Sequence, residues 1–172
     1  MRRSIPCLKS WQCGVIAALL ALPAVADDTL VTFKSLAPDV ALEMAQASLD
    51  SCRAEGFQVT VAVVDRMGVV QVLLRDRFAG AHTPESAARK AATAVSFRAD
   101  TLSLAENTGP NSPHSGARQV EGVLMLGGGI PVSASGSVVA GIGVAGAPNS
   151  ANDHACAQAG IDAVLAKLEL AD

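Results

Sequence analysis

The chain has no tyrosine, and its single tryptophan, Trp11, lies within the first 26 residues. Aromatic residues make up 3% of the sequence, too few for the stacking platform that reads nucleobases or sugars. Basic runs are missing too. Lys and Arg number 13 against 16 Asp and Glu, and an acidic surface without cationic clusters argues against nucleic acid and anionic membranes as partners. There is no G-x-S-x-G and no His pair at H-x-x-x-H spacing. Neither a hydrolase nucleophile nor a helical zinc pair is therefore written in the sequence. The apolar run from Gly14 to Leu22 is shorter than the roughly 20 residues a membrane-spanning helix needs, so no stable membrane anchor is expected.

That short run fits an export signal instead. Arg2, Arg3 and Lys9 form a positive n-region, and Ala24-Val25-Ala26 is an A-x-A cleavage site. Together they read as a secretory signal peptide over residues 1–26, which makes the expected location periplasmic or secreted. Residues 27–172 are then one domain, of a size that can bury a real core. Removing the leader leaves ten Lys and Arg against sixteen Asp and Glu, a net charge of −6. Two cysteines remain, Cys52 and Cys156, each on an expected helix. In an oxidising compartment they can form a disulfide if the first and last helices pack side by side; two buried free thiols are the alternative.

Glycine is the abundant residue that carries information. Seven of the fifteen glycines fall between Gly127 and Gly146, and Gly141, Gly143 and Gly146 satisfy G-x-G-x-x-G letter for letter. A dinucleotide site needs such glycines to turn a strand directly into a helix, whose free amides then meet a pyrophosphate. Here Pro148 follows two residues after the third glycine, and the next helical pattern opens only around Ser150 to Asp153. Asp162, the nearest acid at the expected spacing, falls mid-helix and not at the end of a second strand. No nucleotide is expected. The run reads instead as two strands, GIPVSAS and SVVAGIGVAG, turned at Ser135-Gly136-Ser137, with glycines where another segment comes close.

The rest of the chain supplies helices and a hairpin. Pro38 to Glu55 has an apolar face of Leu42, Ala45, Leu49 and Cys52, and Gly56 ends it. Phe57 to Val64 reads as a buried strand, joined through a turn capped by Asp65 to a second strand, Val69 to Arg75. Thr83 is expected to cap the next helix, with Pro84 at its first position and a small-residue face of Ala88, Ala91, Ala92 and Val95. A short helix around Thr101 to Glu106, a loop from Asn107 to Ser115 and a further strand at Glu121 to Leu126 follow. Ser150 and Asp153 form a capping box for the last helix, whose stripe is Ile161, Val164, Leu165 and Leu168. Strands joined by short turns and covered by helices indicate the α+β class.

Four pieces then line up in order: VAVVDRMGVV, ESAARKAATAVSF, GGGIPV and VAGIGVAGAPNSANDHACAQAG. This ordered set resembles the GlcG/HbpS family of small heme-binding proteins, related to the C-terminal domain of PduO-type proteins, over roughly Ala41 to Leu168. The resemblance implies a profilin-like fold, about five antiparallel strands with helices on both faces, and assembly into homo-oligomers, often octamers. Its members are associated with binding heme, some with degrading it. The HbpS branch carries paired glutamates on the second helix, linked to iron binding. Here Glu85 is followed three residues later by Ala88, so a ferric ion held by two carboxylates is not expected.

Candidate ligand-binding residues follow from the chemistry of heme. With no tyrosine after the leader, histidine or methionine must supply any strong axial side chain. His82 and His154 sit at helix starts, where the positive helix end keeps imidazole neutral and able to ligate; polar contacts at those starts are the alternative. His114 lies in the long loop and is the candidate axial ligand, or a solvated loop residue. Arg75, Arg89 and Lys90 can pair with propionates or another acid's carboxylates, although Arg89 and Lys90 also suit a solvated helix face or an oligomer contact. Three functions remain open: an exported binder of heme or another carboxylated small molecule, an enzyme degrading heme or acting on a small organic acid, and an accessory protein of a periplasmic oxidoreductase system.

Overall fold

Thr60 to Val64 are all fully buried, so both faces of this strand are covered. The computed structural model describes residues 29–171, and the reading of residues 1–26 as a leader lies outside them. The elements run α1 (Pro38–Ala54), β1 (Thr60–Asp65), β2 (Val70–Arg75), α2 (Thr83–Phe97), α3 (Thr101–Asn107), a 3-10 turn (Ser115–Gln119), β3 (Gly129–Ala134), β4 (Ser137–Ala145) and α4 (Ser150–Glu169). One four-stranded sheet has the order β2-β1-β4-β3, and every pairing in it is antiparallel. No helix among the described residues is long and apolar enough to cross a membrane.

Alternation along β1 divides the molecule into layers. Val61 and Val63 join the main core with Met44, Ala45 and Leu49 of α1 and Ile161, Val164 and Leu168 of α4. Ala62 and Val64 point the other way, onto Ala87, Ala91 and Val95 of α2. Helices thus cover both faces: α1 and α4 on one, α2 on the other. A disulfide between Cys52 and Cys156 joins α1 to α4. Pro131, which cannot donate to a ladder, is accommodated because β3 is an edge strand.

The close seat of α2 explains the glycines of β4. A Cβ on Gly143 would run into the backbone carbonyl of Ala87, and one on Gly141 would lie 2.8 Å from the carbonyl oxygen of Ala91. Both positions are in the strand interior, and α4 starts only at Ser150. The glycines therefore admit a helix backbone onto the sheet.

Several boundaries differ from expectation. The sheet has four strands where about five were expected, because Glu121 to Leu126 is not one of them. Its polar groups are taken by α2: Arg89 donates to the carbonyls of Gly122 and Val123, and Leu124 N–H donates to Thr93 Oγ1. The cap of α2 is His82 without a side-chain bond, while the Thr83 hydroxyl is buried against Gly80 O and Thr60 Oγ1. Asn149 caps α4 through Asn152 N–H, which frees Asp153 to accept from Ala147 N–H. Leu42 and Leu165, expected on the buried stripes, are 48% and 44% exposed; Ala41 and Met44 turn inward on α1 instead.

Candidate functional site

A cavity of about 810 Å³ opens on the α2 side of the sheet, within the roughly 300–1,000 Å³ typical of small-molecule sites. Four segments distant in sequence line it: the β1–β2 turn, the last turns of α2, the 120–123 loop and the β3–β4 hairpin.

Each wall is fixed by local chemistry. At the β1–β2 turn, Asp65 Oδ1 accepts from Met67 N–H at 2.8 Å and Val69 N–H at 3.0 Å. Asp65 O accepts from Gly68 N–H at 3.0 Å. Gly68 takes a positive φ of 84° and rests on Ala92 of α2. The opposite wall is held by Arg89, whose Nε and Nη2 donate to Gly122 O at 3.3 Å and Val123 O at 2.8 Å, and by Thr93, which accepts from Leu124 N–H at 2.9 Å. The cavity is consequently preformed, which lowers the ordering cost of binding.

Its lining is amphipathic. Val95, Phe97, Val120 and Val138 provide apolar surface, and Arg66, Arg98 and Glu121 provide charge. Among the described residues neither Arg66 nor Arg98 makes a salt bridge. The Arg66 guanidinium lies 4.7 Å from the centre of the Phe33 ring, a cation–π contact that leaves its donors available to a ligand. Arg98 follows α2 with φ 52° and ψ 36°, a left-handed conformation that glycine adopts at lower cost. Two guanidiniums without salt-bridge partners on a cavity of mixed apolar and polar lining suit an organic anion.

None of the six ligand residues expected from the sequence lines this cavity. Arg89 shapes it from outside through the carbonyls of residues 122 and 123. Lys90 is 3% exposed, and its ammonium donates to Asp153 Oδ2 at 2.7 Å and Val144 O at 2.8 Å. It ties α2, β4 and α4 together and is committed there. Burial pushes the Asp153 carboxyl above its ordinary range, against the pull of Lys90. Arg75 donates to Ala79 O, and His82 is exposed at the far end of α2 from Arg98. His114 is exposed ahead of the 3-10 turn. His154 is half-buried in the first turn of α4, and its Nδ1 is buried without a hydrogen-bond partner. The three histidines are not brought together.

The sequence reading left out Arg66, Met67 and Arg98 as site residues. Arg66 and Met67 lie inside the VAVVDRMGVV piece as turn residues, and only their placement beside α2 brings them to the cavity. Among the described residues no three His, Cys, Asp or Glu side chains cluster to hold a metal ion. Glu85 is paired instead with Arg89 at 3.5 Å.

The fold and site define a small α+β domain with a preformed, basic-rimmed cavity. Residues 36–162 match the family described as haem degrading protein HbpS-like, and the chain belongs to that family. Among solved structures, a double Glu→Asp variant of Streptomyces reticuli HbpS is 40% identical, with 83% of this chain and 96% of that one covered and a TM-score of 0.74. A PduOC:heme complex is 25% identical over 75% of this chain and 94% of that one, with a TM-score of 0.70. Klebsiella pneumoniae protein ORFY shares the fold at 24% identity, over 80% and 96% of the two chains, with a TM-score of 0.77. No curated protein matches the chain.

Proposed function

We propose that this is an exported, homo-oligomeric binding protein for heme or a related carboxylated small molecule, and that its ligand occupies the cavity beside α2. The carrying observation is the pair of guanidiniums, Arg66 and Arg98, without salt bridges among the described residues, at the rim of a cavity that also offers apolar surface. Heme is a planar apolar macrocycle with two propionates, and it needs both kinds of surface. The solved PduOC:heme complex supports heme as the ligand. The residues present fit the group: the valines and Phe97 would face the ring, and the two arginines would meet the propionates by charge-assisted hydrogen bonds. Bound iron would supply redox chemistry, while the protein supplies position and exclusion of water.

Hemin titration of the protein without residues 1–26, which then has neither tyrosine nor tryptophan, tests this reading. A saturable Soret shift is expected, weakened about tenfold or more when Arg66 and Arg98 are both changed to Gln, in keeping with one or two lost charge-assisted bonds. No shift with the unsubstituted protein would sink the proposal. A second reading, breakdown of the bound heme, is favoured by the description of the family. It requires the Soret band to bleach with turnover when reductant or peroxide is added, and a stable spectrum would count against it.

A further inference from the structure

We infer that Met67 is the axial ligand to heme iron in this chain and that it makes heme binding depend on oxidation state. This rests on the cavity reading above and adds to it the atom that meets the metal.

The inference starts from elimination among the residues lining the cavity. Side chains that ligate heme iron strongly are histidine, thiolate cysteine, methionine and tyrosine. Of these types only Met67 lines the cavity. Cys52 and Cys156 are joined to each other in the α1–α4 layer, and His82, His114 and His154 lie elsewhere.

The second observation is the way Met67 is presented. It is 72% exposed, whereas methionine ordinarily fills gaps in cores. Its backbone is nonetheless pinned: its own N–H is held by Asp65 Oδ1, the next N–H by Asp65 O, and that glycine rests on α2. A flexible, polarisable thioether is thus carried on a rigid turn at the mouth of a cavity, with Arg66 preceding it in the same turn. The arrangement gains no burial for the side chain, and it places a thioether residue and a guanidinium residue together on the cavity lining.

A thioether is a soft donor and favours the softer, lower oxidation state of iron. Methionine ligation correspondingly raises the reduction potential of heme. The carboxylate anchors Arg66 and Arg98 carry no such preference. Binding strength therefore divides into a part independent of oxidation state, from the arginines and apolar walls, and a part favouring ferrous heme, from Met67. By the thermodynamic cycle, a tenfold preference for ferrous heme corresponds to a midpoint potential about 59 mV higher in the complex than in free heme.

Titrations with ferric hemin and with dithionite-reduced heme test this, comparing the unsubstituted protein, Met67→Leu and Arg98→Gln. Met67→Leu keeps size and apolarity at an exposed turn position, and melting curves verify that it folds. The expected result is ferrous heme bound about tenfold or more tighter by the unsubstituted protein, with the weak far-red charge-transfer band of ferric iron bound to a thioether. Met67→Leu should lose the band and the preference while still binding ferric hemin. Arg98→Gln should weaken both titrations alike. A Met67→Leu protein that keeps the ferrous preference and an unchanged spectrum overturns the role of Met67 and leaves the cavity reading standing. Failure of the unsubstituted protein to bind either form overturns both.

Discussion

Arg98 occupies a backbone conformation that costs an L-residue roughly 1–2 kcal/mol relative to glycine's easy access to it, immediately after α2. Strain of this kind is kept where a side chain has a task, and here that side chain lines the cavity. Arg98→Gly is therefore expected to stabilise the fold by about 1 kcal/mol and to weaken hemin binding in the same variant. Thermal unfolding and titration on one preparation check both signs; a loss of stability would mean that Arg98 serves the helix end. Lys90 is the opposite case, a charge that looks available in the sequence and is fully engaged in the structure. Nothing in the spacing of ESAARKAATAVSF distinguishes the solvent side of α2 from the sheet side at that position, since alanines fall on every side of the helix around it, at 87, 88, 91, 92 and 94. Only the packing of α4, which brings Asp153 within 2.7 Å, identifies Lys90 as buried.

At the scale of elements, the seat of α2 on β4 depends on an absence of side chains. Gly143→Ala would place a methyl against the Ala87 carbonyl, a backbone atom that cannot rotate away. Overpacking of this type typically costs about 1–3 kcal/mol. Because α2 forms one wall of the cavity, the same change is expected to weaken ligand binding as well, which chemical denaturation and hemin titration separate. Much of this layer could be read in the chain: the burial of β1, the hairpin at Asp65 to Gly68 and the proximity role of the β4 glycines follow from periodicity and residue type. The status of Glu121 to Leu126 could not. Its composition suits a strand, but its backbone groups are claimed by Arg89 and Thr93, long-range partners that local pattern does not reveal. The caps of α2 and α4 moved by one residue for a related reason, since Thr83 bonds to Thr60 and Asp153 to Lys90 in place of their own helix starts.

On the whole molecule, the net charge of −6 over residues 27–172 surrounds a local pair of cationic groups. The two fields oppose each other for an anionic ligand. Attraction by Arg66 and Arg98, which stand at the open rim, acts at the shorter range and outweighs repulsion by the more distant acidic surface; salt screens both. The unsubstituted protein is expected to bind hemin less tightly as ionic strength rises. The Arg66→Gln, Arg98→Gln protein should reverse the slope or lose it. Titrations at low and high salt decide the matter, and equal slopes would remove the arginines from the site. The cavity itself was the least legible feature in the sequence. Its walls come from segments around residues 67, 95, 122 and 137, and no single motif spans them. The histidines drew notice through residue type, but none of the three lines the cavity.

The link between Cys52 and Cys156 spans 104 positions and encloses every strand together with α2 and α3. A nascent chain can close that loop only once α4 has emerged, late in synthesis and after any translocation has passed most of the polypeptide. Closure is therefore a chemical timestamp of completed biogenesis. The same chain held under reducing and under oxidising conditions would differ at this one bond.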